Sequence, residues 1–115
     1  MKSQVQFRVR FYRDDNIAFG PGKVALLEAI AATGSISEAG RSLGMSYRRA
    51  WVLVAEMNDM LVSPAVSTAA GGSKGGGTAL TEVGEVIVTQ YRAIEAAATK
   101  AAAKNIAALK RLIRE

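Results

Sequence analysis

Five of the seven residues from Gly71 to Gly77 are glycine. A run like this cannot pack a core, so any fold must place it on the outside. Ala65–Ala69 precedes it and Thr78, Ala79 and Leu80 follow it, two short pieces of extended character. The simplest arrangement is a hairpin of two short strands with a long glycine tip. The core must then come from the segments on either side.

Upstream, Val5, Phe7, Val9 and Phe11 alternate with Gln4, Gln6, Arg8 and Arg10. A period of two over residues 4–12 predicts a strand with one buried face, ended by Asp14-Asp15-Asn16. A lone strand is unstable, so it must pair with another element. Gly20-Pro21-Gly22 opens a helix whose stripe is Leu26, Leu27, Ile30 and Ala31, with Gly34 as its left-handed stop. Ser35-Ile36-Ser37-Glu38 has the form of a capping box and starts a short helix to about Leu43. Gly44 ends it, and Ser46 caps a third helix from Tyr47 to Leu61. Ala50, Trp51, Val54, Asn58 and Leu61 share one face of that helix, so Trp51 is expected in the core.

Downstream, Thr81 caps the last helix, and Glu82 and Glu85 suit its positive end. Val83, Ile87, Tyr91, Ile94, Ala98, Ala102, Ile106, Leu109 and Ile113 keep three- and four-residue spacings. The pattern predicts one helix from about 82 to 114, roughly 50 Å long at ~1.5 Å per residue. Its distal half has little domain to pack on. Ile94, Ala98, Ala102, Ile106, Leu109 and Ile113 are therefore expected to dimerise with a second copy.

The chain has 115 residues, which fits one domain. It contains no Cys and no His. That excludes disulfides, Cys/His zinc sites and His-dependent nucleophilic catalysis. No carboxylate pair suggests acid–base work, so no enzyme and no cofactor are expected. No stretch approaches about 18 apolar residues, so no membrane span and a cytoplasmic, nucleoid-associated location are expected. The net charge of +5 favours an anionic partner.

The segment Ser35–Leu61 is the most informative. Two helices join through Gly44-Met45-Ser46, and Gly40 lets them cross closely. Ala39, Leu43, Met45, Ala50 and Val54 supply apolar positions inside the unit. This is a helix-turn-helix pattern, and the hairpin after it completes a winged helix. Ser46, Tyr47, Arg48 and Arg49 begin the second helix, where hydroxyls and guanidiniums reach phosphates and base edges. Tyr47 suits DNA contact and packing equally. Lys74, Gly75 and Gly76 in the tip are placed to meet a phosphate backbone, although a bare surface loop fits them too. The glycine run is not a nucleotide loop: Lys74 precedes the triple glycine, and no G-x-x-x-x-G-K-[ST] occurs.

Gly34-Ser35-Ile36-Ser37-Glu38-Ala39, Gly44-Met45-Ser46-Tyr47-Arg48-Arg49-Ala50-Trp51 and Met57-Asn58 resemble the DNA-binding domain of the ModE family. Gly71–Gly77 with Leu80-Thr81 and Gly84 resembles the same family's wing and the entry to its last helix. These are molybdate-responsive bacterial regulators whose DNA-binding domain is related to that of LysR-type regulators. The resemblance covers about residues 5–95. It implies a homodimer reading a palindromic operator in double-stranded DNA, with Ser46, Tyr47, Arg48, Arg49, Lys74, Gly75 and Gly76 as contacts. The family's C-terminal molybdate-binding domains have no counterpart in this sequence, so molybdate is not expected to bind.

The expectation is thus an α+β winged helix-turn-helix with an N-terminal strand and a long C-terminal dimerisation helix. The helix-turn-helix spans about 35–61, the wing about 64–80 and the dimer helix about 82–114. The expected function is sequence-specific transcription regulation. A sequence-neutral architectural DNA binder and a protein-interaction module remain as alternatives.

Overall fold

A computed structural model describes residues 2–68 and 77–114. Among the described residues the fold is α+β, with five helices and two small two-stranded antiparallel sheets. The elements run β1 (Phe11–Arg13), β2 (Asn16–Phe19), α1 (Pro21–Thr33), α2 (Ile36–Ser42) and α3 (Tyr47–Met60). They continue with β3 (Val66–Thr68), β4 (Thr78–Leu80), α4 (Glu82–Ala101) and α5 (Ala103–Lys110).

Local chemistry sets most helix ends. Pro21 stands in the first turn of α1, and Gly34 closes it at φ 70°, with its N–H donating to the Ile30 carbonyl. The hydroxyl oxygens of Ser35, Ser46 and Thr81 accept from the backbone N–H of Glu38, Arg49 and Gly84, each three residues on.

The N-terminus departs from the expected strand over 4–12. Only Phe11–Arg13 is strand, and residues 2–10 have no regular structure. The partner is the next segment. Arg13 faces Asn16, Tyr12 faces Ile17, and an irregularity between Phe11 and Tyr12 brings Phe11 opposite Phe19. Asp14-Asp15 is the connecting turn, with Asp14 at φ 54°, a conformation Asp tolerates better than most residues. Residues 5–9 have no strand beside them, so their alternation does not become a ladder. The Tyr91 hydroxyl ties them down instead, donating to the Val9 carbonyl at 2.6 Å.

The core is built by Leu26, Leu27 and Ile30 of α1, Ile36 and Ala39 of α2, and Ala50, Leu53, Val54 and Met57 of α3. Ala65 and Val66 close it from the hairpin side. At Gly40 a Cβ would stand 2.8 Å from that of Ala50, so glycine permits the α2–α3 crossing. Two expectations fail here. Trp51 is exposed at 39 %, because the buried stripe of α3 runs 50, 53, 54, 57 and Trp51 lies off it. Leu43 is exposed as well, since α2 has ended before it.

The last helix is not continuous from 82 to 114. It is interrupted at Ala102 (φ −98°, ψ 11°), and α5 ends at Lys110. Hydrogen bonds still cross the interruption, from Ala102 N–H to Ala98 at 3.0 Å and from Ile106 N–H to Ala102 at 2.8 Å. No residue of α5 is buried, so little packing among the described residues holds a regular geometry there. Among the described residues, no helix is long and apolar enough to cross a membrane.

Arg92 clamps α4 to α1. Its Nε and Nη2 donate to the two Glu28 carboxylate oxygens at 2.9 and 2.5 Å, and Nη1 donates to Glu95 at 2.6 Å. The hydrogen bonds from Arg92 hold the Glu28 carboxyl below its ordinary value of 4.5, against a smaller opposing effect of burial. A depressed carboxylate adds stability that is present above its unfolded-state value and lost as pH falls through the depressed one. Wild type should therefore lose more stability on acidification than Glu28→Gln. Both side chains are about 40 % exposed, so the difference should stay below about 1 kcal/mol. Parallel curves of melting temperature against pH for the two proteins would show that the clamp carries no stability.

Candidate functional site

An open cleft of about 630 Å³ lies where the N-terminal segment, the first hairpin, the start of α1 and one face of α3 meet. Arg8 and Arg10 come from the N-terminal segment, Asp15, Asn16 and Ile17 from the hairpin, and Gly20–Lys23 from the start of α1. From α3 come Arg49, Leu53, Glu56, Asp59 and Met60. Residues 49, 53, 56 and 60 are spaced four, three and four, which puts them on one face of the helix.

The cations in this cleft are not equivalent. Lys23 is nearly buried, and its Nζ donates to the Ile17 carbonyl at 2.6 Å and lies 3.7 Å from Glu56 Oε1. It fastens the first hairpin to α1. Arg8 donates to the Gln6 side chain at 3.0 Å, a neutral acceptor. Among the described residues, Arg8, Arg10 and Arg49 have no carboxylate within 4 Å. Gly20 heads α1 without a side-chain cap, and Gly20, Pro21 and Gly22 line the same cleft as these guanidiniums. A Cβ at Gly20 would lie 3.1 Å from Arg10 Cγ, so glycine there lets the Arg10 side chain lie close over the helix start. Free guanidiniums beside an uncapped helix start suit an oxyanion. Among the described residues, no group of three or more acidic side chains is placed to hold a metal cation.

The residues singled out from the sequence are distributed differently. The Ser46 hydroxyl oxygen is engaged as the cap of α3. Tyr47 is exposed and meets Trp51 edge-on, ring centroids 6.0 Å apart. Arg48 is exposed beside it, and only Arg49 reaches the cleft. Lys74, Gly75 and Gly76 lie outside the described residues. Ile94, Leu109 and Ile113 are exposed, whereas Ala98, Ala102 and Ile106 are half-buried. The sequence reading missed Arg8, Arg10, Lys23 and Glu56. The available signal was the basic character of Arg8 and Arg10, which alternation assigned to the outer face of a strand.

No protein-family model matches the chain. It is 51 % identical over 81 residues to the molybdenum-pterin-binding protein MopB of Rhodobacter capsulatus, covering 70 % of this chain and 30 % of that protein. It is 41 % identical over 88 residues to the molybdenum transport protein ModE of Azotobacter vinelandii, covering 76 % and 33 %. It is 39 % identical over 71 residues to the DNA-binding transcriptional dual regulator ModE of Escherichia coli K12, covering 62 % and 27 %. The chain thus spans about a third of the length of these relatives or less.

These relatives correct the functional expectation. The most similar of the three is named for binding a molybdenum pterin and the next for molybdenum transport. A DNA-binding domain separated from molybdenum is therefore not carried forward. Operator-reading regulation, double-stranded DNA as the partner and the exclusion of molybdate are withdrawn with it.

Proposed function

We propose that this chain binds a molybdenum-bearing oxyanion in the cleft between the first hairpin, α1 and α3. The observation that carries this reading is the set of three guanidiniums, Arg8, Arg10 and Arg49, that line one cleft without a carboxylate partner. A tetrahedral dianion offers acceptor oxygens on every side, which forked donors from separate elements suit. The molybdenum in the relatives' names supplies the element.

Equilibrium dialysis against molybdate, with the metal quantified on each side, tests it. Wild type should retain molybdate, and the double variant Arg10→Gln with Arg49→Gln should bind at least about tenfold more weakly, as expected when charged hydrogen-bond partners are lost. No retention by wild type, or equal retention by the folded variant, overturns the reading. Retention of a DNA duplex in place of molybdate overturns it too.

We read α2, the Gly44 turn and α3 as a helix-turn-helix, with β3 and β4 as its wing, all within a single domain over 1–115. The order of elements and the Gly40–Ala50 crossing support this. The chain acts by binding rather than catalysis, in keeping with its lack of His and Cys. Ile94, Ala98, Ala102, Ile106, Leu109 and Ile113 form the contact with a second copy, and the bare apolar side chains of Leu109 and Ile113 support this. Ile106→Glu with Leu109→Glu should yield monomers in sedimentation, and an unchanged dimer would place the contact elsewhere.

A further inference from the structure

Residues 2–10 carry two of the three guanidiniums of the cleft, Arg8 and Arg10, yet they have no regular structure to hold them there. Among the described residues, one side chain from elsewhere in the chain hydrogen-bonds to this segment. It is Tyr91 of α4, whose hydroxyl donates to the Val9 carbonyl at 2.6 Å. Val9 stands between Arg8 and Arg10, so the bond fixes the backbone that carries both. The same carbonyl oxygen is 3.5 Å from where a Cβ at Gly20 would stand, and Arg10 Cγ is 3.1 Å from that point. The anchored residue therefore lies close against the head of α1. Tyr91 is buried at 2 % exposure, and it lines neither this cleft nor the second cavity of the molecule. Burial pushes its phenol above the ordinary value of 10, so near neutral pH the group stays protonated and can donate.

The bond matters because the segment has room to move. A second cavity of about 380 Å³ is lined by residues 5–8 together with Glu95 and Thr99 of α4. Arg8 lines both spaces. Once released, the segment could settle into that cavity, where the Glu95 carboxylate attracts a guanidinium that leaves the cleft. We infer that Tyr91 is a positioning residue for the cleft: through Val9 it holds Arg8 and Arg10 at the anion site without touching the ligand. The inference rests on the anion-binding reading of the same cleft and adds what sets that site in place. The setting residue belongs to α4, the helix that also clamps α1 through Arg92 and Glu28. An anion that meets preset guanidiniums does not have to order them on binding. Ordering one such side chain is worth about three- to tenfold in affinity.

Equilibrium dialysis of the full chain against molybdate tests this through a double-mutant cycle. Tyr91→Phe keeps the buried ring and removes only the donor, and it should bind molybdate about three- to tenfold more weakly than wild type. The same loss should appear when the change is made in Arg49→Gln. It should shrink to less than about twofold in Arg8→Gln with Arg10→Gln, where no guanidinium is left on the segment to be held. A residue that merely supports the fold would weaken binding alike in both backgrounds. A second readout needs no ligand. The chain has no Cys, so Gln4→Cys takes a single nitroxide label. Its electron paramagnetic resonance lines should sharpen when Tyr91→Phe is added, as the segment gains motion. Molybdate binding untouched by Tyr91→Phe, or weakened equally in both backgrounds, overturns the inference and leaves the oxyanion reading in place. No binding by wild type overturns the oxyanion reading. Sharpened lines would then still show Tyr91 holding the segment, and unchanged lines would remove that as well.

Discussion

Gly84→Ala should destabilise the protein by about 2–4 kcal/mol, enough to lower its melting temperature by on the order of 10 °C. Gly84 stands in the first turn of α4 and is buried. A Cβ there would overlap the Ala65 carbonyl oxygen and lie 3.1 Å from the Ala65 carbonyl carbon. Those atoms are backbone, and they are held in place. The same carbonyl accepts from the Thr81 N–H at 2.9 Å, and the Thr81 hydroxyl donates to the Pro64 carbonyl at 2.6 Å. Helix propensity favours alanine by only about 1 kcal/mol, which does not offset pushing α4 off this junction. Gly22→Ala is the control. Nothing lies within 4 Å of a Cβ at Gly22, which is helical, so that variant should be neutral or more stable by up to about 1 kcal/mol. Equal melting temperatures for wild type and Gly84→Ala would mean that the junction yields freely and that close approach does not explain this glycine.

Gly84 also shows where a sequence is readable and where it is not. Its place in the first turn of a helix follows from Thr81 and the acids after it, but the carbonyl that leaves no room for a side chain belongs to Ala65. Caps read well because their chemistry is local. Ser35, Ser46 and Thr81 each accept from an N–H three residues on, as their positions imply. The N-terminal strand read poorly because alternation reports side-chain faces and says nothing about a partner. Asp14-Asp15 reads as the end of a strand, whereas it is the turn of a hairpin. Trp51 misled through spacing: it shares a broad face with Ala50 and Val54, but one position off the buried stripe the ring stays outside. The cleft was hidden for the same reason as the Gly84 junction. Arg10, Lys23 and Arg49 are far apart in the chain, and only the fold puts them around one cavity. Local signals therefore located helices, whereas the site depended on which segments cross.

Asn58→Ala should cost about 2–4 kcal/mol, with its effect concentrated in the second hairpin. By spacing alone, Asn58 sits on the apolar side of α3, where a polar residue looks misplaced. The structure gives it three hydrogen bonds. Its Oδ1 accepts from the Ala65 N–H at 2.8 Å and the Val66 N–H at 3.3 Å, and its Nδ2 donates to the Val66 carbonyl at 3.2 Å. Ala65 and Val66 are both buried, so alanine at 58 removes partners from backbone groups that water does not easily reach. A lost pair of that kind costs the desolvation of the group left behind, which exceeds the modest net worth of an exposed hydrogen bond. Amide hydrogen exchange separates this from general loosening. In the variant, Ala65 and Val66 should lose more protection than Ile30 in the centre of α1, because Ile30 is reached only by global unfolding. A uniform loss at all three amides would make Asn58 an ordinary contributor to stability. Loss confined to the hairpin would identify Asn58 as the strut that sets where β3, and so the start of α4, sits on α3.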